Sequence, residues 1–304
     1  MLLIANPGSR RGAVLAARAE RAMRESGADV AVHLTTSAGD GARVARERAA
    51  EFAAIFTLGG DGTAIEVIEA LAGTDTPVGV LPGGTGNLVA RSMGTPLDLR
   101  RAVHALLGGE VALIDLGIIN GKQPFAFTLG IGLDVRMIEG APASLKRRLG
   151  IGAYVIAASR AILRRDIFRV RITVDGVTVE RDATSVMLAN FGSVLNDLLQ
   201  LGPGIAADDG MLDLCVFSPG TFGDACAIAW RLLRKNFAPH PGMWYRPGRV
   251  FRIECDPPQA VQSDGELRGR TPIDVRVAPR AARLLRPRRA EREELTRSRS
   301  AGAS

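Results

Sequence analysis

Two glycine-rich turns, each between an apolar run and a stretch of helical pattern, are the first candidates for chemistry. Gly59-Gly60-Asp61-Gly62-Thr63 follows the apolar run Ala53–Leu58, and Pro82–Asn87 follows Val78–Leu81. Glycines leave backbone N–H groups free to point at an anion, and the dipole of a following helix favours the same charge. Asp61 would repel a bare phosphate, so its presence indicates a Mg²⁺ ion between the carboxylate and a nucleotide.

Other meanings of these turns remain open from the residues alone. A single Gly-Gly-Asp-Gly sequence is often only a tight strand-to-helix connection in which Asp serves the turn. Two such turns after consecutive strands would open at the same edge of a sheet, which favours a phosphate site. Neither turn has the lysine of a Walker A motif, and neither has the G-x-G-x-x-G spacing of a dinucleotide-binding turn.

Two groups of carboxylates lie in the second half of the chain. Asp264-Gly265-Glu266 precedes a basic stretch with Arg268 and Arg270. An Asp-Gly pair commonly forms a hairpin turn, and that alternative stays open. Asp208-Asp209-Gly210 offers hard oxygen ligands suited to Mg²⁺, although a turn before a strand is the commoner meaning of this triplet.

The elements that must position these groups alternate, in the first third of the chain, between short apolar runs and helical patterns. Runs beginning at Leu2, Val30, Ala53 and Val78 are followed by helical patterns that include 13–26, 41–51 and 63–72. The alternation predicts a Rossmann-like, three-layer α/β domain with a parallel sheet. Ligands of such sheets bind beyond the carboxyl ends of the strands, where both glycine-rich turns lie.

From about residue 111 the pattern changes to short segments broken by Gly, Asp and Pro. Strands are predicted at 111–117, 125–129, 168–174, 184–189, 212–217, 250–255 and 273–277, with helical inserts around 144–165 and 221–236. This pattern favours a β-sandwich-like second domain. We expect domains over 1–110 and 111–286, with the last segment able to return to the first domain, and a disordered basic tail over 287–304.

Composition limits the classes of partner and compartment. Three cysteines without paired or metal-like spacing indicate free thiols in a reducing compartment. The start of the chain lacks the pattern of a secretion signal, and no apolar stretch reaches the roughly 18–20 residues that span a bilayer. A net charge of +7 favours anionic partners, whereas 5% aromatic residues and the lack of a recognised motif argue against nucleic acid.

Taken together, the ordered motifs of this chain resemble the diacylglycerol kinase catalytic family, which includes bacterial lipid kinases and sphingosine kinases. The motifs that carry the resemblance are Asn6-Pro7 with Ser9 and Gly12, the two glycine-rich turns, Gly130–Asp134, Asp208–Asp213 and Asp264–Glu266. The resemblance covers roughly residues 1–286. It implies transfer of the γ-phosphate of ATP, with Mg²⁺, to the hydroxyl of a lipid alcohol such as diacylglycerol or a sphingoid base. It also implies an active site in the interdomain cleft.

The resemblance implies roles for particular residues. Glu266 would accept the proton of the lipid hydroxyl, with Asp264 as its partner, and Asp61 would take part near the phosphates. A positioned carboxylate of this kind contributes about 10²–10⁴-fold to the rate, because an alcohol is a poor nucleophile near neutral pH. The residues expected around ATP are Asn6, Thr35, Gly59, Gly60, Asp61, Gly62, Thr63, Glu66, Gly84 and Thr85. A metal would be held at Ala206, Asp209 and Met211.

Some positions leave the interpretation open. Thr36 could replace Thr35 as the nucleotide contact, and Thr35 could instead cap the next helix. Ile65 and Leu88 stand where the family often has Asn and Asp, and these departures from the family pattern bear on the nucleotide or metal contacts. The segment Leu195-Asn196-Asp197 replaces a glycine-rich stretch of related sequences and bears on the acceptor pocket.

A lipid substrate implies contact with a bilayer. The segment 146–165 is basic at one end and apolar along its length, which is typical of an interfacial helix, although a core helix with a basic edge fits as well. We therefore expect a cytoplasmic protein, peripheral at the inner membrane face, that binds nucleotide and lipid and could form a homodimer. The alternatives are an NAD kinase-like small-molecule kinase and a non-catalytic lipid- or nucleotide-binding protein of the same fold.

Overall fold

The computed structural model describes residues 1–8, 12–132, 167–194 and 199–288 of the chain. It divides into two compact units, the first comprising Met1–Ile114 with the chain from Arg280 onward and the second Asp115–Pro279. The predicted helix at 144–165, the segment Leu195–Asp197 and all but the first two residues of the predicted tail 287–304 lie outside the described residues.

The first unit alternates strands and helices. Its elements are β1 (Leu2–Ala5), α1 (Gly12–Glu25), β2 (Ala31–Leu34), α2 (Asp40–Arg48), β3 (Ile55–Gly59), α3 (Asp61–Ala70), β4 (Val78–Pro82), α4 (Leu88–Ser92) and α5 (Leu99–Leu107). A single 3₁₀ turn over Ala49–Glu51 follows α2. The strands pair in parallel in the order β2–β1–β3–β4.

The register of this sheet brings the ends of three strands together. Ala5 at the end of β1 pairs with Leu58 in β3, and Gly59 at the end of β3 pairs with Pro82 at the end of β4. Helix α3 packs through Ala64, Val67 and Ile68, three buried side chains at helical spacing. Burial of a Val or Ile side chain stabilises the fold by about 1.5–3 kcal/mol. This packing fixes α3 so that its first turn follows directly on β3.

Strands dominate the second unit. They are β5 (Glu110–Ile119, which begins in the first unit), β6 (Gln123–Phe125), β7 (Thr128–Gly132), β8 (Phe168–Val174), β9 (Val177–Ala183), β10 (Ser185–Ala189), β11 (Ser193–Val194), β12 (Leu199–Gln200), β13 (Leu212–Phe217), β14 (Met243–Gly248), β15 (Val250–Asp256), β16 (Ala260–Ser263), β17 (Glu266–Arg270) and β18 (Ile273–Arg286, which ends in the first unit). One helix, α6 (Phe222–Leu233), lies between β13 and β14.

Two layers of strands form the second unit. One is an antiparallel sheet in the order β14–β13–β10–β7–β16–β17. In the other, β15 pairs with β8 and with the first part of β18, and β8 pairs with β9. Both layers contribute to one buried core, in which Leu188 and Leu214 from the first layer lie with Ile172 and Phe251 from the second. The second unit is therefore a β-sandwich.

The predicted fold class, an α/β unit with a parallel sheet followed by a β-rich unit, is confirmed. The strands predicted at 168–174 and 212–217 have the predicted bounds. The single strand predicted at 125–129 is wrong, because β6 ends at Phe125 and β7 begins only at Thr128. The helix predicted from residue 63 begins at Asp61, which places Asp61 and Thr63 in its first turn.

Within the residues that the structure describes, no helix is both long enough and apolar enough to cross a bilayer.

The β5–β6 hairpin gives a test of this packing. A Cβ atom at Gly117 would come within 2.0 Å of the ring of Phe125, its partner in β6. We expect Gly117→Ala to lower the free energy of unfolding by about 1–3 kcal/mol, because the ring must move or the strands must separate. Gly108→Ala is the control, since its Cβ would lie 3.5 Å from the nearest atom. Equal urea midpoints for the two variants would contradict the prediction.

Candidate functional site

The two glycine-rich turns of the first unit pack against each other backbone to backbone. A Cβ atom at Gly83 would come within 2.9 Å of the Gly59 nitrogen, and one at Gly84 within 2.7 Å of the Gly60 Cα atom. Only a residue without a side chain permits such an approach. The two turns predicted as phosphate-binding therefore form one continuous patch of main chain beyond the ends of β3 and β4.

The outer side of this patch is open. Apart from the adjacent residues and the backbone of α3 itself, no atom of the described residues lies within 4 Å of a Cβ atom built at Gly60 or Gly62. Helix α3 begins here, and the amides of a first helical turn lack partners within their own helix. Open space and the positive end of a helix dipole fit the oxygens of a phosphate chain.

Asp61 links the two turns. Its Oδ1 atom accepts a hydrogen bond from the amide of Val89 at 3.2 Å, and the amides of Leu88 and Asn87 also donate to its carboxylate. Burial raises the pKa of this carboxyl above its ordinary value, and the amide donors offset only part of the rise. Asp61 thus caps the start of α4, a role that sequence reasoning did not foresee. The predicted metal contact of Asp61 stays a prediction.

Asn6 meets this patch from the end of β1. Its side-chain NH₂ group donates to the hydroxyl of Thr63 at 3.3 Å, and its side-chain oxygen Oδ1 accepts from the amide of Gly8 at 2.8 Å. The Thr63 hydroxyl lies beside Gly59, because a Cβ there would be 2.9 Å from it. Three of the predicted nucleotide contacts, from β1, β3 and α3, are therefore neighbours.

The segment after β2 shows whether Thr35 or Thr36 contacts the start of the next helix. Thr36 donates through its amide and its hydroxyl to the carboxylate of Asp40, at 3.0 and 3.3 Å, so Thr36 is the residue that binds the start of α2. The hydroxyl of Thr35 has no hydrogen bond to the part of the chain that the structure describes. Glu66 accepts a hydrogen bond from the amide of Gly39 at 3.3 Å and so joins α3 to this segment.

The second glycine-rich turn is closed by its own asparagine. The Asn87 side chain accepts from the amide of Gly84 at 2.9 Å and donates to its carbonyl oxygen at 3.0 Å. Asn87 adopts a left-handed conformation, with φ of 51°, which Asn tolerates better than most residues. Thr85 lies exposed at the tip of the turn.

In the second unit, Asp264 and Gly265 form a two-residue hairpin turn between β16 and β17. Both have positive φ values, 51° and 92°, as a type I′ turn requires. The Asp264 carboxylate accepts hydrogen bonds from the amides of Ala126, Phe127 and Thr128, at 2.7, 3.1 and 2.8 Å. The hairpin alternative for Asp-Gly is therefore right about the local fold, and Asp264 fastens the hairpin to the β6–β7 connection.

Glu266 is the first residue of β17, at the edge of its sheet. Its side chain is 61% exposed and lies 3.2 Å from the guanidinium of Arg268. Arg268 is itself only 16% exposed and donates to the hydroxyl of Ser263 at 2.9 Å. The carboxylate of Glu266 is therefore accessible from solvent and is contacted on one side by a largely buried arginine.

The predicted metal loop is shaped by a residue that sequence reasoning missed. Asp115, fully buried in β5, donates its amide to the carbonyl of Ala207 and accepts from the amide of Gly210, both at 2.6 Å. Asp209 is exposed and accepts from the amide of Met211 at 2.9 Å. No cluster of three or more His, Cys, Asp or Glu side chains suited to a metal occurs among the described residues.

Asn190 connects this loop to the Asp264 hairpin. Its fully buried side-chain amide donates to the carbonyl of Asp115 at 2.7 Å and to that of Ala126 at 2.8 Å. One set of hydrogen bonds therefore runs from Asp264 through the β6–β7 connection and Asn190 to Gly210. A polar residue in the middle of an apolar strand, as Asp115 is, was the signal available in the sequence.

The Asp264 contacts predict that a small chemical change at this residue lowers the stability of the fold considerably. Asp264→Asn keeps one acceptor oxygen and turns an NH₂ group toward amides that have lost their partner. We expect the free energy of unfolding to fall by about 2–4 kcal/mol and the amides of 126–128 to exchange faster with solvent, as measured by hydrogen–deuterium exchange. Glu266→Gln is the control, because that side chain is exposed. Unchanged exchange in Asp264→Asn would contradict the assigned role.

Asp213 in β13 gives a pH prediction. Burial, together with the negative charge of Asp209, raises the pKa of Asp213 from 3.8 to about 6. A raised carboxyl pKa stabilises the fold at low pH, and this stability is lost as the pH rises from about 4 through about 6. Between about pH 4 and pH 7 the wild type should therefore lose roughly 1 kcal/mol relative to Asp213→Asn, allowing for solvent screening.

Urea unfolding of wild type and Asp213→Asn at several pH values measures this difference. Asp209→Asn is a useful companion, because it removes the neighbouring charge and should reduce the effect. Parallel stability profiles for wild type and Asp213→Asn would contradict the raised pKa.

Two family models match the chain. The model described as "Diacylglycerol kinase catalytic domain" matches residues 1–119, and the model described as "YegS C-terminal NAD kinase beta sandwich-like domain" matches residues 128–286. The first contains both glycine-rich turns, and the second contains the Asp264 hairpin and the 206–211 loop.

Curated relatives resemble the chain over most of its length. "Putative lipid kinase SaurJH9_0749" of Staphylococcus aureus is 29% identical over 76% of this chain and 76% of that protein. "Uncharacterized protein sll0036" of Synechocystis is 28% identical over 77% of this chain and 54% of that protein. The chain thus spans about half the length of the Synechocystis relative.

Solved structures agree with these matches. The structure titled as a "putative diacylglycerol kinase" from Bacillus anthracis superposes with a TM-score of 0.81 at 26% identity, covering 95% of each chain. An NAD kinase from Archaeoglobus fulgidus in complex with ATP superposes with a TM-score of 0.53 at 14% identity, covering 98% of each chain. The second likeness shows a shared fold alone.

Proposed function

The chain belongs to the diacylglycerol kinase catalytic family, and from that premise we propose that it is a lipid kinase that transfers the γ-phosphate of ATP to the hydroxyl of a lipid alcohol. The observation that carries the proposal is the pair of glycine-rich turns, packed backbone to backbone, with open space at Gly60 and Gly62. This arrangement presents amides rather than side chains, as a site for a phosphate chain requires.

The first unit would bind ATP. The amides at the start of α3 would receive phosphate oxygens, with the side chains of Asn6, Thr63 and Thr85 around them. Thr35 supports the same proposal better than Thr36 does, because the Thr36 hydroxyl already donates to Asp40. Glu66 would act through the Gly39 segment that it holds.

Mg²⁺ is part of the proposal, and the residues present fit it. Asp61 offers a carboxylate beside the phosphate turns, and the loop with Ala206, Asp209 and Met211 offers one carboxylate and backbone carbonyls, the hard oxygen donors that Mg²⁺ prefers. The ion would neutralise the charge of the phosphates. Burial raises the pKa of Asp61, which disfavours its charged form, and a bound cation would reverse that preference.

Glu266 would be the general base. Its carboxylate takes the proton of the lipid hydroxyl as the hydroxyl oxygen bonds to the γ-phosphorus and the bond to ADP breaks. Arg268 holds Glu266 from one side. Asp264 is proposed as a positioning residue, since its carboxylate is taken up by three amides. This assignment changes the expectation that Asp264 acts directly with Glu266.

A lipid acceptor implies a peripheral enzyme at the inner membrane face. The homodimer through an exposed strand edge is a separate point and stays a prediction. The NAD kinase alternative rests on the shared fold. Radiolabelled γ-phosphate transfer from Mg-ATP, offered to diacylglycerol, monoacylglycerol and sphingoid bases in mixed micelles beside NAD, separates the two. Label in NAD alone would overturn the lipid proposal.

The general base yields the decisive variant. Glu266→Gln should keep ATP affinity and lose about 10²–10⁴-fold in turnover, because the amide cannot accept the proton. Glu254→Gln is a matched control, since Glu254 also pairs with an arginine two residues away on a strand, at 3.0 Å from Arg252. Turnover is measured with the labelled acceptor and ATP affinity by calorimetry. Equal turnover in the two variants would move the base elsewhere.

A further inference from the structure

Helix α6 is apolar on two sides. Its inner side buries Ala225, Ile228 and Leu232, and the last two pack in a cluster with Cys215 of β13. Its opposite side carries Phe222 and Trp230, each 58% exposed. A surface helix usually turns polar residues outward, and no part of the chain that the structure describes covers this second apolar side.

The exposed aromatic residues form a stripe. Phe222, Cys226 and Trp230 follow at intervals of four residues, which places them on one face over two turns, about 12 Å. Ala227 is exposed beside them. We call these four residues, with Arg234 at the end of the helix, the outer face of α6. Single exposed apolar residues are common, but two large aromatics on one face indicate a contact surface.

The cations of α6 and of the two residues that follow it lie together at one end. Arg234 stacks on the ring of Trp230, at 4.8 Å from its centroid, and Arg231 and Lys235 flank it. The acidic residue of the helix, Asp224, accepts the amide of Thr221 in a capping box at the opposite end. Three cations therefore stand at the end that carries Trp230, and the one carboxylate of the helix stands at the other.

We propose that the outer face of α6 docks on the surface of an anionic phospholipid bilayer. Trp and Phe on one side of a helix with Arg and Lys at its border are the composition of helices that lie in the membrane interface. Each cation near an anionic leaflet adds attraction, and the chain as a whole carries a charge of +7. The inference rests on the proposed function in one respect, since a lipid kinase must reach its substrate at a bilayer.

Charge favours a bilayer over a second copy of the chain. One copy carries three cations and one carboxylate on α6 and the two residues after it. Two copies that met through this face would therefore bring together six cations and two carboxylates. An anionic surface instead meets all the cations with opposite charge. The self-association alternative is therefore the outcome to be separated in the test.

The chain has two tryptophans, Trp230 and Trp244. Trp244→Phe leaves Trp230 as the single reporter. We expect its fluorescence to shift to the blue on vesicles that contain phosphatidylglycerol and to be quenched by brominated acyl chains. In the otherwise unchanged chain, Trp230→Ser and Phe222→Ser should each weaken vesicle binding about tenfold or more in sedimentation. Val250→Ser is the matched control, because Val250 is also 58% exposed.

Arg234→Gln should weaken binding to phosphatidylglycerol vesicles about fivefold and leave binding to phosphatidylcholine vesicles nearly unchanged. An unquenched Trp230 on vesicles that do carry the protein would overturn the proposal. So would a concentration-dependent dimer in light scattering that Trp230→Ser abolishes, since the face would then bind a second copy.

The two proposals fail separately. If the chain docks through Trp230 but labels no lipid in micelles, the kinase proposal is overturned and the docking proposal is supported. A chain that labels lipid in micelles, but binds vesicles equally well with and without Trp230, would overturn the docking surface alone.

Discussion

Three backbone amides converge on the carboxylate of Asp264, and the predicted catalytic part of the second unit depends on that contact. Hydrogen bonds to a charged acceptor are about twice as strong as neutral ones, and three on one carboxylate leave a hairpin little freedom. Because Asn190 bonds to Ala126 and to Asp115, the same constraint extends to the loop at Gly210. The turn that precedes Glu266 is thus held by the main chain of 126–128 and, through Asn190, by Asp115.

In the first unit, the glycine-rich turns are fixed in place by different interactions. Gly83 and Gly84 have no side chain, so the main chains of the two glycine-rich turns can pack directly against each other. Asp61 adds a second constraint, because its carboxylate accepts hydrogen bonds from the amides at the start of α4. Here the acidic residue of the motif is structural whatever else it binds. Both units therefore use a carboxylate as an acceptor for main-chain amides at the point where a predicted functional residue must be fixed.

The sequence predicted what repeats or is strongly apolar, and missed what depends on contacts between distant residues. The fold class and strands such as 168–174 follow from alternation alone. The edge strand β17 was missed, because Glu266–Arg270 is mostly charged and has no apolar face. The break between β6 and β7 could not be predicted, since it is imposed by Asp264, 136–138 residues away. The buried role of Asp115 likewise depends on Asn190 and Gly210.

The contact between Asp264 and the β6–β7 connection also bears on how the protein can change over time. Every residue except proline supplies a backbone amide, so the anchor of the hairpin places no demand on which side chains occupy 126–128. At present these include Ala126 and Phe127, the latter stacked on Phe191 at 5.0 Å. Substitutions there can remodel the surroundings of the hairpin while its attachment is kept. Selection can thus change these side chains while the attachment of the turn before Glu266, the proposed base, is kept.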